Sequence, residues 1–441
     1  MVPGAVVASW TALLCLQVLA AGPPVGPDPL PRLQDSARQM HGAQHATQDR
    51  QPPSSLRDGI TGPIAGASRV PTAAFDATGR LWLTWVESNR VLVSRSDDQG
   101  ASFSRATVVT PQAEEIDANS ESRPKIALGP AGQIYVTFTR LGATPYTGDV
   151  RFARSLDGGR SFSEPTTIND DGLAVGHRFD TLAVTSEGLI YVAWIDKRDQ
   201  EAAAREHRAY EGAALYYTVS RDGGGTFVPN RKLKDGVCEC CRLAPAIDRA
   251  GRLTLFFRDI LPGSIRDHSI ATIRPDLSAG PAARATGDGW AIGLCPHHGP
   301  SLAIDQAGTY HVVWFTGGGA DGPGSFYARS IDHGRTFISP MLLGGKNGQG
   351  HAAVLSHEQT VYVVWKEPAQ SRGSVVFARQ SDDGGISWGS TREIARSQGM
   401  SDHPFLVGSN DGVFLSWFSS SEGYRLVPLL AKRSFRSQPR H

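Results

Sequence analysis

Apolar residues along this chain come in short runs, and the runs recur. Each copy opens with a polar residue or two, passes through a short apolar strand, turns at Gly or Asn/Asp, and ends in an aromatic-rich strand. The copies run from Arg69 to Trp85, Arg123 to Phe138, Arg178 to Trp194, Arg242 to Phe257, His298 to Trp314, His351 to Trp365 and His403 to Trp417. Their spacing of roughly 50 to 65 residues is a propeller-blade period rather than that of a leucine-rich or tetratricopeptide array. Between most copies lies a second phrase, Ser-x-Asp-x-Gly-x-Ser/Thr-Phe/Trp. It is carried by Ser96, Asp98, Gly100 and Phe103; by Ser155, Asp157, Gly159 and Phe162; by Ser220, Asp222, Gly224 and Phe227; by Ser330, Asp332, Gly334 and Phe337; and by Ser381, Asp383, Gly385 and Trp388. The carboxylate can accept backbone N–H groups across the turn, Gly permits a positive φ, and the aromatic is expected to bury between neighbouring sheets.

Each blade therefore reads as strand, turn, strand, loop, strand, Asp turn, strand. Blade four lacks the Asp phrase. The last copy supplies three strands, the third over about Arg425 to Lys432, and a strand near Gly62 to Ala67 is expected to complete that sheet and close the ring. The fold predicted is all-β, a seven-bladed propeller of four-stranded antiparallel blades, with a six-bladed propeller as the alternative.

Composition agrees. The 49 glycines, 28 prolines and 9 tryptophans beside only 4 methionines suit many short strands joined by tight turns. A formal net charge of +1 with acids and bases interspersed gives no electrostatic footprint for nucleic acid or an anionic membrane. The expected partner is a metal ion or a small-molecule ligand at the propeller mouth, and no protein partner is identified. Residues 1–21 hold an apolar run from Ala5 to Leu19 ending in small residues, which reads as a signal peptide and implies a secreted or periplasmic protein with no membrane span after its removal. Cys15 falls in that run, without the small residues of a lipobox before it. Residues 22–60 read as a flexible Pro/Gln-rich leader, 61–435 as the propeller and 436–441 as a tail.

The five turns and the repeat together resemble the sialidase superfamily of Asp-box propellers over residues of about 60 to 435. That resemblance implies the propeller fold; for chemistry it allows sialidases, other glycosidases and non-enzymatic binders. Ser68-Arg69-Val70-Pro71 is similar to the family's Arg-Ile-Pro motif, which would make Arg69 a carboxylate-binding arginine with partners among Arg123, Arg178 and Arg242. The family's acid/base Asp comes from a long loop after this motif. Here the connection is Glu87-Ser88-Asn89, so Glu87 would have to substitute. Tyr210 with Glu206 or Glu211, in a helix-like insertion of blade three, are the candidates for nucleophile and partner; a surface helix covering the propeller face is the other reading. Sialidases also have six blades, not seven.

Residues just before each first strand ring the mouth of the channel: Arg69, Arg123, Arg178, Arg242, His297 and His298, His351, His403. Two readings of the arginines stand side by side: a ligand-binding ring, or ion pairs with carboxylates of neighbouring loops such as Asp196, Asp199 or Asp259. Cys238, Cys240, Cys241 and Cys295 fall beside the same mouth. Three thiols within four residues, joined by Cys295 and by His297, His298, His351 and His403, offer soft and borderline donors for a transition metal, copper first and zinc second. Disulfides, for example Cys240 or Cys241 to Cys295, are the competing account. Three functions follow: a copper-binding propeller, a sialidase-like exo-glycosidase acting on an acidic sugar, or a non-catalytic scaffold with a disulfide-stapled face.

Overall fold

The computed structural model describes residues 62–63, 66–320, 322–345, 350–369 and 373–429. The expected signal peptide, most of the leader and the tail lie outside these residues. Among the described residues no helix is long and apolar enough to cross a membrane.

Seven antiparallel sheets, each a simple meander, follow one another along the chain, spanning residues 69–108, 125–167, 177–237, 244–284, 301–343, 353–397 and 405–428. The first strand of each blade packs beside the first strand of the next, and that of blade seven packs beside that of blade one. The ring is thus closed, and the protein is a seven-bladed all-β propeller. Second strands are sandwiched between neighbouring blades and are buried on both faces, as in Leu81–Glu87 and Ile190–Asp196. Their tryptophans Trp85, Trp194, Trp365 and Trp417 are almost wholly buried. An indole N–H cannot go unpaired there. Trp85, Trp194 and Trp365 donate to the acid two residues on, at Glu87 Oε2 (3.2 Å), Asp196 Oδ2 (2.7 Å) and Glu367 Oε1 (2.8 Å), so one strand carries both ring and acceptor.

All five Ser-x-Asp-x-Gly turns fold identically. The serine hydroxyl donates to the Asp carboxylate two residues on and accepts the N–H of the glycine, at 2.7–2.9 Å throughout. The glycine is needed twice over at Gly224: its φ is +79°, and a Cβ would stand 2.5 Å from Phe152 Cζ of the preceding blade. The aromatics pack between blades but stay half-buried, Phe227 edge-on to Phe152 at 4.9 Å and Trp388 to Tyr327 at 4.7 Å. In blade four Asp276 and Ser278 form a tighter turn in place of the box.

Closure differs from expectation. Blade seven has three strands among the described residues, and its third is Gly423–Pro428. Residues 66–67 form a turn instead of a fourth strand. Pro63 offers no ladder N–H, and Gly66 adopts φ +78°, which breaks an extended run. Side chains seal the ring instead: Phe75 packs on Phe414 at 5.4 Å, and Gln99 donates to Asp411 at 3.2 Å.

Candidate metal centre

Cys238, Cys240 and Cys241 lie on the turn between the last strand of blade three and the first of blade four. Cys238 Sγ is 3.9 Å from Cys240 Sγ and 3.3 Å from Cys241 Sγ. Cys295, 54 residues beyond Cys241 in sequence, packs against the same apolar cluster. All four are free thiols. The surroundings, including Val237, Leu243, Leu255 and Phe257, are apolar and buried. The blade-three insertion is a helix, Arg198–Arg205, which packs beside the blade's third strand and reaches this turn at Glu239. Lys197 at its start pairs with Glu239, the residue between the first two cysteines, and Gln200 adds a bond at 3.4 Å.

Crowding splits the thiols electrostatically. Hydrogen bonds from Cys240 and Cys241 lower the pKa of Cys238, and those from Cys238 and Cys240 pull Cys295 down to about 5. Burial pushes Cys241 up to about 12 and Cys240 well above its ordinary value. Cys295 and Cys238 are thus shifted towards the thiolate and Cys240 and Cys241 towards the thiol, inside an apolar wall.

The histidines gather separately. His298, His351 and His403 lie one over another, with ring centroids 4.4 Å apart for the first pair and 3.4 Å for the second, and Phe315 closes the row at 4.2 Å from His298. His297, at φ +52°, is in electrostatic reach of His298 but is not in the stack. Burial lowers all three stacked imidazoles, His351 to about 4 and the others well below their ordinary value, so they are neutral. Glu121 Oε1 stands 3.3 Å from Nδ1 of both His351 and His403. Burial would raise this carboxyl, but Arg242, 2.9 Å away, holds it well below the usual carboxylate range.

The expected Cys/His site therefore divides into two groups. Cys241 and Arg242 are adjacent in an extended segment, so one points into the blade core and the other into the channel. Cys295 and His298 are parted by Pro296 and the left-handed His297. Arg258 links the groups through backbone: Cys238 N–H donates to its carbonyl, and its guanidinium donates to the carbonyl of His298 at 3.0 Å.

The mouth arginines form ion pairs, though not with the loop carboxylates expected. Arg178 binds Asp117 at 2.7 Å, Arg69 faces Asp117 and Glu115, Arg123 pairs with Asp402 and Arg242 with Glu121. Asp402 comes from the segment before blade seven; Glu115, Asp117 and Glu121 come from the segment before blade two, where Asn119 accepts the N–H groups of Glu121 and Ser122 at 2.9 Å and fixes the turn. Asp196, Asp199 and Asp259 serve Arg198, Lys232 and Lys234 instead. Asp171, His177 and Asp196 form a third cluster around Arg198, in which those carboxylates outweigh burial and keep His177 protonated to higher pH.

Glycosidase candidates are not brought together. Glu87 is buried beneath Ser68 and Trp85, from which it accepts at 2.8 and 3.2 Å. Tyr210 donates to Asp235 at 2.7 Å, while Glu206 pairs with Arg208. Glu211 accepts from Ser264 at 3.0 Å. Sequence reasoning missed Glu121 and Glu239. The available signal for Glu121 was its place two residues before a mouth arginine.

No protein-family model matches the chain, and no curated protein matches its sequence. Solved structures do match. A protein of unknown function from Dyadobacter fermentans is 16% identical, with a TM-score of 0.51 over 72% of this chain and 95% of that one. An ulvan lyase, a polysaccharide lyase, is 12% identical, with a TM-score of 0.55 over 83% of this chain and 96% of its own. A Hadza microbial sialidase is 15% identical, with a TM-score of 0.47 over 80% of this chain and 74% of its own. At these identities the likeness to the Dyadobacter protein and the ulvan lyase is one of fold alone.

Proposed function

We propose that the protein binds one thiophilic transition metal ion, Cu(I), through Cys238, Cys240, Cys241 and Cys295. The observation that carries this reading is the convergence of three unbridged thiols in one apolar pocket, with Cys238 Sγ 3.3 and 3.9 Å from the other two, and a fourth free thiol, Cys295, brought from a distant segment against the same apolar cluster. Around an ion bonded to sulfur at about 2.3 Å, trigonal or tetrahedral sulfurs stand roughly 3.8–4.0 Å apart, whereas a disulfide needs about 2.05 Å. The spacing suits an ion better than a bridge. A dry, sulfur-only wall favours a soft monovalent ion over strongly hydrated divalent ones.

Anaerobic titration of reduced protein with Cu(I) against a competing chelator should give one ion per chain. Replacing all four cysteines with alanine should abolish it; serine is avoided because it would bury unpaired hydroxyls. Reduced wild-type protein that retains no Cu(I) overturns the proposal.

A further inference from the structure

Cys238, Glu239, Cys240 and Cys241 make one tight turn, with Glu239 and Cys240 at its centre. A turn of this kind brings its first and fourth Cα atoms within about 7 Å, and bridged cysteines need about 4.4 to 6.8 Å. The outer two cysteines are therefore the pair that the backbone presents to each other. Their sulfurs are also the closer ones, 3.3 Å apart against 3.9 Å for Cys238 and Cys240. Cys240 and Cys241 are neighbours in sequence, and a trans peptide holds adjacent Cα atoms about 3.8 Å apart, below the bridging range. Both ends of the turn are anchored from outside it. Cys238 N–H donates to the carbonyl of Arg258 at 3.0 Å, and Arg242 N–H, just past Cys241, donates to Glu121 Oε2 at 2.8 Å. Glu121 is held in turn by the N–H of Gly299 at 3.0 Å, where a Cβ would stand 2.5 Å from Oε2. Blade four and the segment before blade two thus fix the separation of Cys238 and Cys241.

We propose that Cys238 and Cys241 are a redox-active pair that closes to a disulfide by exchange with small-molecule disulfides and reopens with small-molecule thiols. Closing the reduced pair takes roughly 1.2 Å of sulfur movement, which side-chain rotation supplies. Cys238 attacks as the thiolate, the form that its thiol neighbours favour. One sulfur of the small disulfide RSSR bonds to Cys238 Sγ, and the other leaves as RS⁻. Cys241 then attacks Cys238 Sγ and expels the second RS⁻, which takes the Cys241 proton. Two electrons pass from the protein to RSSR, giving one protein disulfide and two small thiols. The bridge suits the pocket, because it replaces a thiolate by an apolar group among Val237, Leu243, Leu255 and Phe257. Since all three turn thiols are buried, exchange proceeds as the turn opens on the side tied by the partly exposed pair Lys197 and Glu239. Bridging also takes two sulfurs away from the ion. That consequence rests on the Cu(I) reading, whereas the exchange itself does not.

The test uses the full chain, free of metal, equilibrated anaerobically in buffers that run from reduced to oxidised glutathione, then alkylated and digested with trypsin. Cleavage after Lys234 and Arg242 releases Asp235–Arg242, which carries all three turn cysteines, while Cys295 falls in a different peptide. Oxidised samples should contain Asp235–Arg242 bridged internally from Cys238 to Cys241 with Cys240 alkylated. The bridged fraction should follow the glutathione ratio in both directions. Cys241→Ala should lose the internal bridge, and Cys240→Ala should keep it; should either variant not fold, the bridge mapped in wild type decides alone. A bridge through Cys240, a link to the Cys295 peptide, mixed disulfides with glutathione alone, or alkylated thiols at every ratio overturns the proposal. Cu(I) titration of the bridged and reduced forms then separates the two readings. Binding by the reduced form and its loss in the bridged form supports both; a reduced form that binds no Cu(I) overturns the metal reading and leaves the exchange standing; equal binding by the two forms overturns the competition between bridge and ion.

Discussion

The two ends of the propeller are built on opposite principles. At the Asp-turn end the same Ser–Asp–Gly hydrogen bonds recur in five blades, and each glycine takes a positive φ. At the mouth the blades fall into two kinds: arginines enter from blades one to four, histidines from five to seven, and thiols crowd the turns beside blade four. The repeated end needs only to turn and stitch neighbouring sheets. The varied end faces a channel where seven first strands converge, so each entry residue meets those of the other blades and can differ from them without breaking a sheet. Regularity supports the fold, and departures from it gather the thiols, imidazoles and buried ion pairs.

That contrast can be broken at the core. Trp194 is fully buried, stacked with Tyr216 and bonded to Asp196. Trp194→Ala should destabilise the fold by about 3–5 kcal/mol through cavity formation and the loss of a donor for a buried carboxylate. Denaturant unfolding monitored by circular dichroism reads it; a change under 1 kcal/mol would mean that blades tolerate loss of their central ring.

Acid tests the mouth. The three stacked histidines have folded-state pKa values below the unfolded value near 6.5, so the unfolded chain binds more protons and stability falls as pH drops. For His351 the loss runs from about 6.5 down to about 4 and amounts to roughly 3 kcal/mol by itself. His177 works in the opposite sense: its raised pKa contributes stability that is full below 6.5 and fades as pH climbs through the folded value. Thermal melts of metal-free protein between pH 7 and 4 should therefore fall steeply, and His351→Phe should flatten that slope. An unchanged slope would remove the buried neutral stack as its cause.

The smallest effect sharpens the comparison most. Lys197 and Glu239 are both partly exposed where the helix meets the cysteine turn. Lys197→Ala should change stability by less than about 1 kcal/mol, because partly exposed ion pairs contribute little. Its effect should appear in metal exchange: Cu(I) should transfer to a chelator faster once the cover is untied. Equal transfer rates would show that the helix does not guard the thiols.

By itself the sequence determined the number of blades, the five Asp turns and the gathering of arginines, histidines and cysteines just before the first strands. Those features are local and periodic: an apolar run, a glycine at a required φ and an aromatic at fixed spacing each act within a few residues, and repetition makes them legible. It also marked Cys238, Cys240, Cys241 and Cys295 as one group, since three sit together and the fourth opens the next blade. Only the tertiary structure decided that the imidazoles stand apart from the sulfurs, because which way Cys241 and Arg242 point depends on the sheet they enter. Only it brought Glu121 to His351 and His403, across more than two hundred residues of chain. No pattern in sequence encodes such a contact; it arises where a closed ring brings strands from opposite sides to one axis. Ring closure depends on such contacts too: among the described residues the last blade has three strands, and packing of Phe75 on Phe414 joins the two ends of the propeller where a fourth strand near Gly62 to Ala67 was expected.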